Sequence, residues 1–214
     1  MQEDILSIID KLRQGSYPEE DLNYILNSLD QFHSEESLEA LFVLGDALHN
    51  AGLDYQARQV FLHLNDNVDH DDYVISYIVD SYISEARLDD ALTLINNSPE
   101  TPTVLMLKSE IFQQMNLNDV AVRLLFEAKA QSDDIIIDFA IAELYYTLGD
   151  LEEAVRFYET VLNEGLEEVN GVMIGLRLAD IYVNLLNFED ARAYFDSVPD
   201  EHYSNEDFYK EALL

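Results

Sequence analysis

The sequence of 214 residues contains no cysteine. Disulfides, thiolate catalysis and cysteine-based zinc sites are therefore excluded. Proline and glycine are scarce, at four and seven residues, while Leu, Ala, Glu and Asp are plentiful. That balance favours helices over sheet and loop. Basic residues are scarce as well: 11 Lys and Arg stand against 44 Asp and Glu, for a formal charge of −33. Such a surface repels nucleic acid phosphate and anionic lipid, and it attracts basic peptides or proteins. The same excess also serves solubility alone, and the composition does not choose between the two roles. Long apolar runs are missing too. The most apolar stretch, 135–142, is short and interrupted by Asp138, too little to span a bilayer. The start, Met1 to Leu6, lacks the basic region and apolar run of a signal peptide, so a cytoplasmic protein is expected.

What the chain does have is apolar material, 48% of its residues, enough for a sizeable core. It also has a period. Ala57, Ala91, Ala121, Ala154 and Ala191 follow one another at spacings of 34, 30, 33 and 37 residues. Twelve positions before each alanine stand Gly45, Val79, Ser109, Ala142 and Ala179, small except for the valine. Nine before stand Leu48, Tyr82, Phe112, Tyr145 and Tyr182, and four after stand Phe61, Ile95, Leu125, Tyr158 and Phe195. Small residues let two helices approach closely, and large ones in register fill the space beside them. A period near 34 with two helical patterns per unit signals a helix-turn-helix array.

The fourth unit is the clearest, running from Ala142 through Tyr145, Gly149 and Ala154 to Tyr158; the fifth has Ala179, Tyr182, Ala191, Phe195 and Pro199. These motifs resemble the tetratricopeptide repeat family, and the resemblance covers residues 38–205 in five units. It implies an all-α fold, a right-handed α-solenoid of stacked helix-turn-helix repeats, running as one solenoid through 1–214. The acidic, tyrosine-rich style looks like that of the acidic cytosolic tetratricopeptide proteins of low-GC Gram-positive bacteria. Residues 1–37 are expected to form a degenerate N-terminal helical pair, with the alanine register falling near Leu22 and Asn23. Residues 206–214 are expected to start a further helix, as in a piece of a longer array.

Helix ends carry their own signals. Ser34, Asp71, Ser132 and Ser204 precede helical patterns and are expected to cap them. Ser16-Tyr17-Pro18-Glu19 reads as a capping box. The Asp69-His70-Asp71-Asp72 cluster lacks a calcium-loop pattern and reads as an N-terminal cap. Acidic pairs such as Asp89-Asp90 and Glu152-Glu153 suit the positive ends of second helices.

In the family the first helix of each repeat lines a concave groove, so the resemblance directs attention to those helices. Eleven before each alanine stand Asp46, Asp80, Glu110, Glu143 and Asp180, all acidic. Fifteen before stand Phe42, Ser76, Met106, Phe139 and Leu176; Tyr73 and Tyr146 fall in neighbouring rows. An acidic ladder beside an apolar floor suits a segment carrying Lys or Arg with interspersed apolar anchors. The same register is a solvated face in any such helix, so both readings stand. Members of the family that grip a C-terminal carboxylate do so with lysine and asparagine; here Phe42, Ser76 and Met106 replace the lysines and acids replace the asparagines, which argues against that ligand.

No HExxH, GxSxG, P-loop or GxGxxG occurs, and the density of carboxylates makes any one pair uninformative for acid–base work. The expected function is a non-enzymatic interaction scaffold for a basic or amphipathic protein segment, without cofactor, metal, nucleic acid or membrane. The partner-binding residues would be Asp46, Asp80, Glu110, Glu143, Asp180, Phe42, Tyr73, Met106, Phe139, Tyr146 and Leu176. Two alternatives stand beside it: an acidic chaperone for secretion or assembly clients, and a self-assembling module that forms a homo-oligomer through its C-terminal end.

Overall fold

The computed structural model of the protein describes residues 2–164 and 171–199. Among them run twelve α-helices: α1 (Gln2–Arg13), α2 (Glu19–Leu26), α3 (Glu35–Asn50), α4 (Asp54–Asn67), α5 (Asp72–Ser84), α6 (Leu88–Asn96), α7 (Pro102–Gln114), α8 (Asn118–Gln131), α9 (Ile135–Leu148), α10 (Leu151–Glu164), α11 (Gly171–Asn184) and α12 (Phe188–Ser197). No strand occurs among the described residues, and none of these helices is long and apolar enough to cross a membrane. The chain is all-α and built of helix hairpins. It divides into two compact units, Met1–Ala121 and Val122–Leu214, with the division inside α8. The expected helix over 206–214 and the expected cap at Ser204 lie outside the described residues.

Each hairpin closes on one residue in the left-handed conformation: Gly15, Gly52, Ala86, Asn116, Gly149 and Leu186, with φ between 56° and 78°. The hydrogen bonds repeat from turn to turn. The N–H of Gly52 donates to the carbonyl of His49 at 2.8 Å, and that of Leu53 to the carbonyl of Leu48 at 2.9 Å. Ala86 and Arg87 make the same pair of bonds to Ile83 and Tyr82, and Leu186 and Asn187 to Val183 and Tyr182. This is the Schellman closure, which satisfies the last carbonyls of a helix while reversing the chain. The carbonyl that accepts the longer-range bond belongs to the large residue nine before the anchor alanine in each of the five units. The alanine itself comes five residues after the left-handed one each time.

Those alanines are fully buried, as are Val79, Ser109, Ala142 and Ala179 on the facing helices. Gly45 shows why that row is small: a Cβ there would stand 2.7 Å from Cζ of Phe61, a ring that is itself fully buried. Ser109 fills the same place and adds a hydrogen bond, its hydroxyl donating to the Ala121 carbonyl at 3.0 Å. In the first unit α3 packs on α4, α4 on α5, and α5 on both α6 and α7. Ile5, Ile8, Leu41, Leu44 and Phe61 form one core there, and Ile75, Val79, Ile95 and Ile111 another. In the second unit α9 packs on α10, α10 on α11, and α11 on α12. There the rings of Tyr145 and Phe157 stack at 6.0 Å, as do those of Tyr182 and Tyr194 at 5.7 Å.

The N-terminal pair follows the same rule with an insertion. In the five later turns the second helix restarts two residues after the left-handed position; after Gly15 it restarts four residues on, at Glu19. The anchor register therefore falls on Leu22, the fourth residue of α2, as Ala57 is the fourth of α4. Leu22 is fully buried in the core there, and α1 packs chiefly against α3 rather than α2.

The caps at Ser34 and Asp71 form as the sequence predicts, accepting bonds from Ser37 and from Tyr73 and Val74. Two expected caps differ. Asp134, not Ser132, caps α9, and the Ser132 hydroxyl instead accepts a bond from the Asp134 N–H. The capping box at Ser16 does not form: Pro18 is the residue before α2, and no side chain caps that helix. The long turn after Gly15 puts Ser16 too far upstream. Thr101, which accepts from Val104 ahead of a helix that opens on Pro102, is a cap the sequence reading passed over.

Two substitutions test this framework. Gly45→Ala forces a methyl into the Phe61 ring and is expected to lower stability by roughly 1–3 kcal/mol in urea unfolding. Leu186→Gly removes a branched side chain, 74% exposed, from left-handed backbone at φ 58°. It is expected to raise stability by about 0.5–1 kcal/mol, the relief of φ strain exceeding the added entropy of glycine. Equal stability of all three proteins would show that the turns and the close approach do not limit the fold.

Candidate functional site

Residues fifteen and eleven before the anchor lie one helical turn apart and so share a face of each first helix. In the first unit α3 carries Phe42 and Asp46 on that face, α5 carries Ser76 and Asp80 with Tyr73 one turn before them, and α7 carries Met106 and Glu110. Phe42 is half-buried. Its ring meets Phe61 edge-on at 6.1 Å and lies 5.3 Å from that of Tyr73. The Tyr73 hydroxyl donates to the Asp46 carboxylate at 2.7 Å. That bond, with burial behind it, pushes the phenol pKa up to about 12. Asp46 is thus already held by a neighbour.

Asp80 and Glu110 are not. Neither carboxylate accepts a hydrogen bond or pairs with a cation among the described residues. Burial raises the Asp80 pKa above the ordinary value, against a smaller pull downward from His49. Burial also raises that of Glu110, and the charge of Asp80 adds to it. The charge of Asp80 is thus felt at Glu110, and neither carboxylate has a paired base. His49 is engaged elsewhere: its Nδ1 lies 2.9 Å from the Asp54 carboxylate, which also accepts the Tyr77 hydroxyl at 3.2 Å.

The second unit treats the same rows differently. Glu143 on α9 accepts the Tyr158 hydroxyl and pairs with Arg177 of α11 at 3.6 Å. The Arg177 guanidinium lies over the Tyr146 ring, 4.4 Å from its centre, and the Tyr146 hydroxyl donates to Asp180 at 3.0 Å. Burial, then the bond to Glu143, drives the Tyr158 phenol pKa upward. Phe139 lies edge-on to Tyr158 at 6.3 Å, and Leu176 is half-buried on α11. Here the acids are consumed by a network internal to the unit.

The row seven before the anchor also turns inward. Asn50, Thr147 and Asn184 each donate to the carbonyl four residues back on their own helix. Among the described residues no group of three or more His, Asp or Glu side chains converges as a metal site.

One feature was invisible in the sequence rows. The first unit holds a cavity of about 780 Å³ where the start of α3 faces the end of α4 and the α4–α5 connection. Leu38, Phe42, Val43, Leu64, Val68 and Val74 supply its apolar wall, and Glu35, Glu39, Asp69 and Asp71 stand among its polar lining. Of these residues only Phe42 and the N-terminal cap cluster stood out in the sequence, because the cavity draws on three helices and a connection that no single register joins.

Comparison with known proteins agrees with this architecture. The family of YpiA-like tetratricopeptide repeats matches residues 113–166. The TPR repeat-containing protein YpiA of Bacillus subtilis (strain 168) is 27% identical over 167 residues, which is 76% of this chain and 38% of the relative. The chain therefore spans less than two fifths of that relative's length. TTC0263, a thermophilic TPR protein of Thermus thermophilus, superposes with a TM-score of 0.60 at 20% identity over 86% of this chain and all of the other. Pseudomonas aeruginosa PilF superposes with a TM-score of 0.61 at 12% identity over 99% of this chain and 96% of the other. Residues 113–166 thus match tetratricopeptide repeats, and the chain as a whole resembles YpiA and shares the fold of solved TPR proteins.

The crowded carboxylates have a signature in pH. A carboxyl whose pKa is raised by folding holds its proton better folded than unfolded, so its contribution favours the fold at low pH and is lost as pH rises through the raised value. Asp80 and Glu110 start from ordinary values of 3.8 and 4.5, so the loss begins near pH 4 and is complete above their raised values. Glu110→Gln is therefore expected to raise Tm by about 1–3 °C at pH 7, with the gain vanishing below pH 4. A variant that melts with the parent across that range would show the two charges to be independent.

Proposed function

We propose that this chain is a non-enzymatic scaffold that binds a basic or amphipathic protein segment on the first helices of its repeats. The tetratricopeptide architecture supports the general role of holding a protein partner. The observation that carries the finer reading is the state of Asp80 and Glu110: two acids on α5 and α7 that accept no hydrogen bond and form no ion pair among the described residues, the second raised in pKa partly by the charge of the first. A lysine or arginine from a partner would relieve their repulsion and lower both pKa values, so binding gains what the free protein forgoes.

The surrounding charge favours the same ligand. Residues 14–86 contain fifteen acids and one Lys or Arg, Arg58. That arginine is buried, its guanidinium donating to Ser81 at 2.7 Å and pairing with Glu85 at 2.8 Å. No accessible fixed positive charge within this stretch competes with an incoming one. In the second unit Glu143 and Asp180 already have Arg177 and Tyr146, and in the first Asp46 has Tyr73, so Asp80 and Glu110 are the acids of the candidate set with capacity to spare, beside Asp46, Phe42, Tyr73 and Met106.

The test is a synthetic Lys-rich peptide titrated against the purified chain. Affinity is expected to fall steeply between about 50 and 200 mM salt, a range chosen for its effect on screening. Asp80→Lys with Glu110→Lys is expected to weaken binding about tenfold or more, while Glu143→Gln costs far less. Affinity indifferent to salt and to the double variant would refute the reading.

A further inference from the structure

Taking the basic-segment reading as its premise, we infer that the cavity at the head of α3 is the seat for an apolar side chain of that segment, flanked by lysine or arginine. Three observations meet there. The wall is apolar and built from separate elements: Leu38, Phe42 and Val43 from α3, Leu64 from α4, Val68 from the connection and Val74 from α5. At about 780 Å³ the cavity is within the range of sites that take a bulky side chain or a short amphipathic segment. The polar lining is mostly acidic: Glu35, Glu39, Asp69 and Asp71 stand beside His33 and Asn67, which bond to one another at 2.8 Å, and no lysine or arginine is present.

Charge complementarity selects the occupant. A neutral apolar peptide would fill the wall and leave the acidic charge of the rim uncompensated, and an acidic one would meet repulsion. A second copy of this chain, at a formal charge of −33, brings the wrong sign. A basic segment with an apolar residue satisfies wall and rim together. Phe42 joins the cavity to the first-helix face, since its ring lines the one and contacts Tyr73, the donor to Asp46, on the other. An apolar anchor in the cavity thus places the residues that follow it toward the acids of α3 and α5. Within such a site the apolar anchor carries the larger share of affinity, and the rim charges set the partner's sign and the association rate.

The experiment compares two amidated, fluorescently labelled peptides, Lys-Lys-Leu-Phe-Lys-Lys and Lys-Lys-Ser-Ser-Lys-Lys, by polarization, with methyl NMR shifts of Val43 and Val68 as the map. The first is expected to bind at least tenfold more tightly and to shift both valines. Val43 is 39% exposed on α3, so Val43→Gln disturbs the cavity mouth without touching the core or the charge. It is expected to bring the two peptides to equal affinity while Asp80→Asn keeps their ratio. Equal binding of both peptides to the parent protein would overturn the cavity as an anchor site and leave the acidic face standing. Binding by neither would overturn both, and a mass that doubles with concentration in the parent but not in Val43→Gln would assign the cavity to self-association instead.

Discussion

The closure of each hairpin on one left-handed residue is the constraint from which the rest of the structure follows. The two hydrogen bonds of that turn fix the last carbonyls of the first helix and aim the chain back along it. Where the second helix restarts two residues later, its fourth residue is always the alanine that touches the first helix. Contact at that point demands a small partner, and Gly45 against Phe61 shows how little room is left. The rows of candidate site residues inherit this register. Asp46, Asp80, Glu110, Glu143 and Asp180 recur on equivalent faces because each is counted from the same turn. The first hairpin supplies the internal control: two extra residues after Gly15 move the anchor to Leu22, and the close pairing of α1 with α2 is lost.

Most of this framework was legible in the sequence because it depends on residue size at fixed spacing. The alanines, the small row before them and the large row after them announce themselves without coordinates. The left-handed positions were harder to see. Gly52 and Gly149 suggest such turns, but Ala86 and Leu186 occupy the same backbone region with side chains that ordinarily avoid it. Their conformation is imposed by helices packed on either side, which is tertiary information. The failed capping box at Ser16 has the same origin: the motif is present, but the turn geometry that would use it belongs to a shorter connection.

The candidate site was legible as rows and illegible as pairings. Sequence register placed acids on one face of the first helices; it gave no sign that Arg177 reaches Glu143, or that Tyr146 bonds to Asp180 while Tyr73 bonds to Asp46. Those contacts join different repeats, at separations such as 27 and 34 residues, and depend on how neighbouring hairpins are offset. The cavity lay outside the rows for a related reason. Val68 belongs to a connection, and a connection has no periodicity to read.

The pairings also explain how a chain with one base for every four acids holds its carboxylates in place. Tyrosine hydroxyls do much of what lysine and arginine would do elsewhere. Tyr73 donates to Asp46, Tyr77 to Asp54, Tyr146 to Asp180, Tyr158 to Glu143, and both Tyr182 and Tyr194 to Glu159. A phenol is a neutral donor on a rigid apolar ring, so it packs against helices while answering an acid, and it leaves the negative charge in place. The consequence is electrostatic: the carboxylates are ordered without being neutralised, and the field of the surface survives folding almost intact. A base would have cancelled that field locally, as Arg177 does beside Glu143. The scarcity of lysine and arginine over residues 14–86 and the abundance of tyrosine in the chain are therefore two sides of one arrangement, which keeps the acids fixed in position and available. Asp80 and Glu110, which accept no hydrogen bond and form no ion pair among the described residues, are the two acids of these rows left outside that arrangement, with only the charge of His49 acting on Asp80.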